Sequence, residues 1–251
     1  MKMRISIAAA VVAAVLAGLV ATAGAGTLQL DSIFVLDFTQ GICPSGMPAT
    51  NYCYPFTGTP VLRGLGRASM DFLVVEDRSD PNPNCAHASV SPLPIVVAGK
   101  GELDLSAKSE GCQPFADPQT LAYTVSGGSG AYAGAEGSGT IKFRSHTEGS
   151  PRTTSIELSG TLDVPGLTFD TTGPVFSGVK NRIVKTASRK GTWVRFSVRA
   201  TDAVDGPVPV ACVPRSGSRY RIGKTRVTCS AMDGSGNETK ASFTVTVKKR
   251  R

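Results

Sequence analysis

Near its N-terminal end the chain reads Leu28-Gln-Leu-Asp-Ser-Ile-Phe-Val-Leu-Asp-Phe38, where apolar side chains recur with a period close to two. Such alternation predicts a β-strand with one face in a core. Similar patterns, separated by clusters of Gly, Pro, Asn and Ser, recur in Ala68–Val75, Ile95–Leu105, Leu121–Val125, Thr140–Arg144 and Ile156–Val164. Helical periodicity is nearly absent beyond the first 25 residues. We therefore predict an all-β chain with a sandwich or a barrel in each half.

Irregular stretches separate the predicted strands. Asp77–Pro94 contains four prolines, which cannot donate to a sheet ladder, so we expect a long surface loop there rather than a central strand. Gly41–Pro60 is predicted to be a similar loop. The turn-forming residues of Thr168–Pro174 indicate a linker between two domains, residues 26–168 and residues 169–251.

The first residues have the pattern of a bacterial-type export signal. Lys2 and Arg4 precede an apolar, alanine-rich run, Ile5–Val20, and small residues follow it up to Ala25. This order predicts a signal peptide over residues 1–25, cleaved after Ala25 or, in a second frame, after Ala23. A membrane anchor is the alternative, but the run is short for the roughly 20 apolar residues that a bilayer requires. We expect no membrane span after cleavage, and a secreted or cell-surface protein.

The cysteines fit an exported protein. There are six of them: Cys43, Cys53, Cys85, Cys112, Cys212 and Cys229. An even number in an exported chain predicts disulfides. In the first half the favoured pairs are Cys43–Cys53 and Cys85–Cys112, although four cysteines allow three connectivities. A zinc site would require close cysteine pairs or more than the two histidines present, so no such site is predicted.

Charge is distributed unevenly between the two halves. Residues 26–168 contain 8 Lys/Arg and 14 Asp/Glu, a net charge of −6, whereas residues 169–251 contain 17 and 5, a net charge of +12. A change of sign supports the domain boundary and predicts an anionic partner for the second half. Outside the membrane such partners are wall polymers, acidic glycans and phospholipid head groups, and export makes nucleic acid an unexpected partner.

The second half contains an ordered series of recognisable segments. They are Ala200-Thr-Asp-Ala-Val-Asp-Gly206, Cys212-Val-Pro-Arg-Ser-Gly217, Ile222-Gly-Lys-Thr-Arg-Val-Thr-Cys229-Ser-Ala-Met-Asp-Gly-Ser-Gly-Asn237 and Phe243-Thr-Val-Thr-Val247. This series resembles the hyalin-repeat (HYR) family, an immunoglobulin-like β-sandwich of extracellular proteins. The resemblance implies a disulfide between Cys212 and Cys229, and a role in interaction or adhesion rather than catalysis, by analogy of fold alone.

Alternation in the same region agrees with a sandwich. Trp193–Ala200 places Val194, Phe196 and Val198 on one face, and Val227 and Cys229 point inward together on another strand. A third apolar face consists of Phe243, Val245 and Val247.

The first half has a narrower resemblance. Leu121–Phe143, with its many glycines between two alternating segments, resembles the glycine-rich hairpin of the dirigent and allene-oxide-cyclase barrel proteins. Gly64-Leu-Gly-Arg-Ala68 and Gly99-Lys-Gly-Glu-Leu103 fit the same plan, with glycines where a strand begins. The resemblance implies an eight-stranded antiparallel barrel, and no catalytic residue of those families maps onto this chain.

Basic residues of the second half are the candidate binding residues. On the alternating strand, Trp193, Arg195 and Arg199 share the face opposite the apolar one. A second group, Arg219, Arg221, Lys224 and Arg226, precedes Cys229, and the chain ends in Lys248, Lys249, Arg250 and Arg251. Such a surface would attract polyanions. Keeping the domain soluble is the alternative role of these charges.

Metal and catalytic candidates are fewer. Asp202, Asp205, Asp233 and Asn237 are calcium candidates, because calcium favours clustered oxygen ligands. The preferred interpretation is that these Asp and Asn side chains cap turns. The basic surroundings also argue against a bound cation, so no metal is predicted. His87 and His146 have no recognisable nucleophile nearby, and no catalytic residue or cofactor is predicted.

These observations predict an exported, non-catalytic binding protein of the surface or adhesion type, with its basic C-terminal domain on an anionic wall polymer, glycan or surface protein. The alternative is an enzyme or small-ligand carrier that uses the interior of the N-terminal barrel. A carrier needs an open cavity with a few convergent polar groups, whereas side chains fill a structural barrel.

Overall fold

The computed structural model describes residues 25–114, 119–146 and 152–250. These residues form nineteen β-strands, and the described part of the chain contains no helix, as the predicted all-β class requires. It follows that no helix in these ranges has the length and hydropathy needed to cross a membrane. Residues 1–24, which contain nearly all of the predicted signal peptide, lie outside the described residues.

Ten strands belong to the N-terminal region. They are β1 (Ala25–Phe38), β2 (Asn51–Gly58), β3 (Val61–Leu62), β4 (Gly66–Asp77), β5 (Cys85–Val97), β6 (Gly101–Ser109), β7 (Gln113–Pro114), β8 (Gln119–Gly130), β9 (Glu136–His146) and β10 (Arg152–Thr168). Eight of them form a closed antiparallel barrel in the order β1-β2-β4-β5-β6-β8-β9-β10, and β10 pairs with β1 along almost its whole length. The predicted eight-stranded barrel is confirmed, and its closure leaves no free edge among these strands.

Large apolar side chains fill the barrel. On β1, Leu28, Leu30, Phe34, Leu36 and Phe38 are all less than 9% exposed, as the alternation predicts. Aromatic rings continue this core across neighbouring strands, where they stack with centroids 5.2 and 5.4 Å apart. Burial raises the pKa of the Tyr123 hydroxyl to about 12. The barrel interior is therefore a packed hydrophobic core in which side chains occupy the centre.

Three predictions about the barrel strands are wrong. Ile95–Leu105 is not one strand: β5 ends at Val97 and β6 begins at Gly101, with a tight turn between them. Asp77–Pro94 is a loop only up to residue 84, because β5 begins at Cys85. Its Pro92 lies in a gap of the β5–β6 ladder, between Val90 and Leu93, where no donor is needed. In the same way, Gly41–Pro60 contains strand β2.

All six cysteines are paired as predicted. The disulfides are Cys43–Cys53, Cys85–Cys112 and Cys212–Cys229. Cys53, Cys85 and Cys229 are at most 1% exposed, and Cys229 belongs to the core of the C-terminal region.

The denatured, unreduced protein should contain no free thiol, and reduction should release six. Titration with a chromogenic thiol reagent in denaturant measures both numbers. Such bonds persist in an oxidising environment. Two or more thiols before reduction would contradict the pairing.

The C-terminal region contains nine strands. They are β11 (Val175–Ser177), β12 (Arg182–Thr186), β13 (Thr192–Val194), β14 (Arg199–Asp202), β15 (Gly206–Val208), β16 (Val210–Val213), β17 (Ser218–Tyr220), β18 (Gly223–Met232) and β19 (Glu238–Lys249). They form a four-stranded sheet, β12-β19-β18-β16, a three-stranded sheet, β11-β14-β15, and a two-stranded ribbon, β13-β17.

Alternating residues from these sheets meet in one core. Val227, Cys229, Phe243, Val245 and Val247 are at most 4% exposed, and Phe196 packs edge-on against the ring of Phe243 with centroids 5.0 Å apart. The predicted apolar faces are confirmed. The region is a β-sandwich in which the buried faces are drawn from several sheets.

The predicted strand Trp193–Ala200 is interrupted. Residues 195–198 have no ladder, because Phe196 instead exchanges hydrogen bonds with the hydroxyl of Ser216, at 2.8 and 2.6 Å. Trp193 therefore belongs to the β13-β17 ribbon, whereas Arg199 belongs to a different sheet. The prediction that Trp193, Arg195 and Arg199 share one strand face is therefore wrong, and the exposed Arg195 lies in the segment without a ladder.

Short contacts join the two regions. Phe169, directly after β10, is 3% exposed and packs in the barrel core. The backbone N–H of Gly64, in the turn after β3, donates to the carbonyl of Ser235 in the turn between β18 and β19, at 2.8 Å. Asn237 Nδ2 donates to the carbonyl of Asp170 at 3.0 Å, so the predicted linker contacts both regions.

Candidate functional site

The β13-β17 ribbon presents an exposed aromatic residue among cations. Trp193 lies directly opposite Arg219 in the ladder, so both side chains are on the same face. On the other face Val194 and Tyr220 are 3% and 2% exposed, which leaves Trp193, at 69%, pointing to solvent. Burial raises the pKa of the Tyr220 hydroxyl, which donates to the carbonyl of Pro214 at 3.1 Å.

A basic groove lies beside this ribbon. Its volume is about 540 Å³, and its walls are Arg189, Lys190, Arg219, Arg221 and Ile222. The two walls approach closely at Gly191, which has a φ of +90°. A Cβ at this position would collide with the carbonyl of Tyr220, so glycine is what allows Arg189 and Lys190 to face β17. Four cationic side chains thus converge on one cavity.

The C-terminal tail leaves the domain at the same end. The backbone N–H of Arg250 donates to the carbonyl of Thr186 at 2.8 Å, and Thr186 is three residues before Arg189 in the sequence. Lys248 and Lys249 at the end of β19 are exposed. Arg251 lies outside the described residues. The tail therefore adds cations to the end of the domain that carries the groove; we call this end, with the groove and Trp193, the basic end.

Two predicted binding residues lie elsewhere. Arg199 pairs with Ser177 in the three-stranded sheet. Arg226 is on β18, where its guanidinium donates to the hydroxyl of Ser242 at 3.2 and 2.9 Å. The sequence analysis did not select Arg189 and Lys190. The available signal was that they stand directly before a glycine and an alternating strand.

The predicted calcium candidates are brought together. Carboxylate oxygens of Asp202, Asp205 and Asp233 lie within 4.8 Å of one another, and Asp170 of the linker joins them. Asn237, which is 2% exposed, donates from Nδ2 to Asp233 Oδ2 at 2.8 Å. We call Asp170, Asp202, Asp205 and Asp233 the acidic cluster. Asp170 was not a sequence candidate.

His87 is not part of the basic end or of the acidic cluster. His87 Nε2 lies 3.2 Å from Asp80 Oδ2 on the barrel. The N–H of Asn82 and this imidazole hold the pKa of the Asp80 carboxyl below its usual value. Cys85 is nearby, but its sulfur is in a disulfide and offers no thiolate. The side chain of His146 lies outside the described residues.

Comparison with known proteins identifies the second region only. The family model of the HYR domain matches residues 169–247. This region is an HYR domain. The match begins at Phe169, directly after β10, and ends at Val247 in β19. It therefore contains the groove, Trp193 and the acidic cluster, and the basic tail follows it. Comparisons with curated proteins and with solved structures gave no significant match.

Proposed function

We propose that the protein is exported and non-catalytic, and that its HYR domain attaches it to an anionic polymer outside the membrane. The HYR domain is an extracellular adhesion-type domain, and three disulfides fit that environment. The polymer, an acidic glycan or a wall polymer, would bind at the basic end. The observation that carries this proposal is the groove between Arg189, Lys190, Arg219 and Arg221.

The chemistry of the groove suits a sulfated, phosphorylated or carboxylated sugar chain. Guanidinium groups bind planar or tetrahedral anions through paired N–H donors. Trp193 stands beside Arg219 on the exposed face of the ribbon, and an exposed indole is a surface for the apolar face of a sugar ring. A linear polyanion could then lie along the groove and continue over the basic tail.

The charge distribution of the HYR domain supports attraction at this end. Four of the five acidic residues in residues 169–251 belong to the acidic cluster beside the β18–β19 turn. The basic end lies at the other end of β18, which has ten residues. Since a strand rises about 3.3 Å per residue, about 30 Å separates the basic end from the acidic cluster. At physiological ionic strength screening acts over about 8 Å, so the acidic cluster hardly weakens the attraction.

The barrel is proposed to be a structural support for the HYR domain. Its interior is packed with aromatic and aliphatic side chains, which favours this role over that of a small-ligand carrier.

Binding to a heparin-like resin should depend on the groove arginines. We expect Arg219→Ser/Arg221→Ser to elute at clearly lower salt than the wild type, because two of the contacts to the polyanion are lost. The slope of log affinity against log salt should fall by roughly one for each contact removed, as for other linear polyanions. A chain that ends at Val247 should also elute earlier.

The control variant is Arg199→Ser/Arg226→Ser, which removes the same charge from two strands that do not line the groove. It should elute close to the wild type. If both double variants shift equally, only net charge matters and the groove is not the site. If only the truncated chain elutes early, the tail alone binds.

A further inference from the structure

Among the residues that the structure describes, the acidic cluster has no cationic partner. Its four carboxylates lie within 4.8 Å of one another, and no ion pair in residues 25–114, 119–146 and 152–250 includes any of them. Asp202 and Asp233 are 4% and 7% exposed, so water screens them poorly. Like charges at this spacing repel, and therefore the cluster calls for a bound cation.

Turn chemistry uses only some of the carboxylate oxygens. Asp202 Oδ1 accepts from the N–H groups of Val204 and Asp205 at 2.8 and 3.0 Å. Asp205 Oδ2 accepts from the N–H of Gly234 at 2.8 Å, which ties the β14–β15 turn to the β18–β19 turn. Within the described ranges no hydrogen bond reaches the second oxygen of either residue. Each of these aspartates keeps one oxygen for a ligand.

Two buried oxygens without partners are independent evidence for a ligand. Asn237 Nδ2 donates to Asp233 Oδ2 at 2.8 Å and to the carbonyl of Asp170 at 3.0 Å, which holds the amide inside the cluster. Asn237 Oδ1 is buried and accepts no hydrogen bond, and the same is true of Asp170 Oδ2. Buried acceptors in native proteins nearly always have a partner, and a metal ion would satisfy both oxygens.

We propose that Asp170, Asp202, Asp205, Asp233 and Asn237 bind one calcium ion. Calcium takes six to eight oxygen ligands from carboxylates, amide carbonyls and water, in flexible geometry, and these five residues supply that donor set. Zinc prefers nitrogen and sulfur ligands, and magnesium demands a smaller octahedral shell. The high positive charge of the domain does not oppose this ion, because the basic end lies at the far end of β18.

The position of the site gives calcium a structural role at the junction of the two regions. The ligands come from the linker, the β14–β15 turn and the β18–β19 turn. Ser235 in the last of these turns accepts a hydrogen bond from Gly64 of the barrel. The ion therefore fixes the linker to both turns and holds the HYR domain in place at the end of the barrel.

Calorimetric titration of the chelator-treated full chain with calcium chloride tests the site. We expect one ion per chain, with a dissociation constant of about 0.1–1 mM, the range of extracellular calcium modules. Asp205→Asn keeps an oxygen for the Gly234 N–H but loses the charge, and should weaken binding by about tenfold or more, because affinity follows ligand charge. Glu238→Gln is the matched control: it removes the fifth acidic residue, which pairs with Lys240 outside the cluster, and should bind as the wild type does.

Thermal unfolding provides a second test, because a turn that binds no ion would not make stability depend on calcium. Without calcium, Asp205→Asn should be at least as stable as the wild type, because repulsion is relieved; with calcium the order should reverse. Three results would overturn the proposal: no saturable calcium binding by the wild type, equal affinity for magnesium, or an Asp205→Asn variant that binds calcium as tightly as the wild type.

Discussion

Replacing Phe56 with alanine should destabilise the barrel by about 3–5 kcal/mol, the cost of removing a large aromatic ring from a packed core. Phe56 is 5% exposed and stacks between Phe38 and Phe72, with centroids 5.4 and 5.2 Å away, while the ring of Phe143 lies 5.5 Å away. The cavity would sit where four strands meet. In a calorimetric scan we expect the barrel transition to fall by about 10–15 °C.

Two controls separate packing from any effect of mutating strand β2. Phe56→Leu keeps most of the apolar volume and should cost about 1.5 kcal/mol. Thr57→Ala changes the exposed neighbour on the opposite face of the strand and should stay within about 0.5 kcal/mol of the wild type. A Phe56→Ala variant as stable as Thr57→Ala would show that this ring does not support the core.

Which calorimetric transition Phe56→Ala lowers tests the proposed division into residues 26–168 and 169–251. If these regions unfold separately, Phe56→Ala should lower one calorimetric transition and leave the transition of the HYR domain in place. A single transition that moves as a whole would contradict two independent units.

Alternation made the strand class and much of the core predictable from the sequence. Leu28–Phe38 has buried residues at every second position because a closed barrel gives each strand one inner and one outer face. The predicted inward residues Val227, Cys229 and Phe243 are buried for the same reason, since a sandwich strand also has one core face.

Local sequence patterns did not reveal where the pairing between strands is irregular. The rule that proline excludes a central strand failed for Asp77–Pro94, because a gap in the β5–β6 ladder accommodates Pro92. Such a gap depends on the lengths and registers of the neighbouring strands, which no window of sequence contains. The break after Val194 is similar, since it arises from the hydroxyl of Ser216, 20 residues away from Phe196.

The candidate sites were predictable only in part, because the fold decides which turns come together. Asp202, Asp205, Asp233 and Asn237 were visible as turn residues, but only the fold brings their two turns together and adds Asp170. The sequence also suggested that a basic domain would repel a cation. The structure removes that objection, because the long hairpin β18–β19 separates the basic end from the acidic cluster.

Removing the disulfide of the HYR domain should lower the second calorimetric transition, by about 3 kcal/mol in the chain-entropy account for a loop of this length. Cys212 and Cys229 face each other across β16 and β18 and are separated by 17 residues. Cys229 is fully buried, so the variant Cys212→Ala/Cys229→Ala also leaves a small cavity. We expect the HYR transition to fall and the barrel transition to stay.

The matched variant is Cys43→Ala/Cys53→Ala, which removes the same bond from the barrel, where the separation is 10 residues. It should affect the barrel transition alone, and by a somewhat smaller amount, because a shorter closed loop restricts the unfolded chain less. If each double variant shifts only its own transition, the HYR disulfide stabilises a separately folding unit that carries both the basic end and the acidic cluster. If either variant shifts both transitions, the contacts at the linker couple the two regions during unfolding, and the boundary after residue 168 does not separate independent folding units.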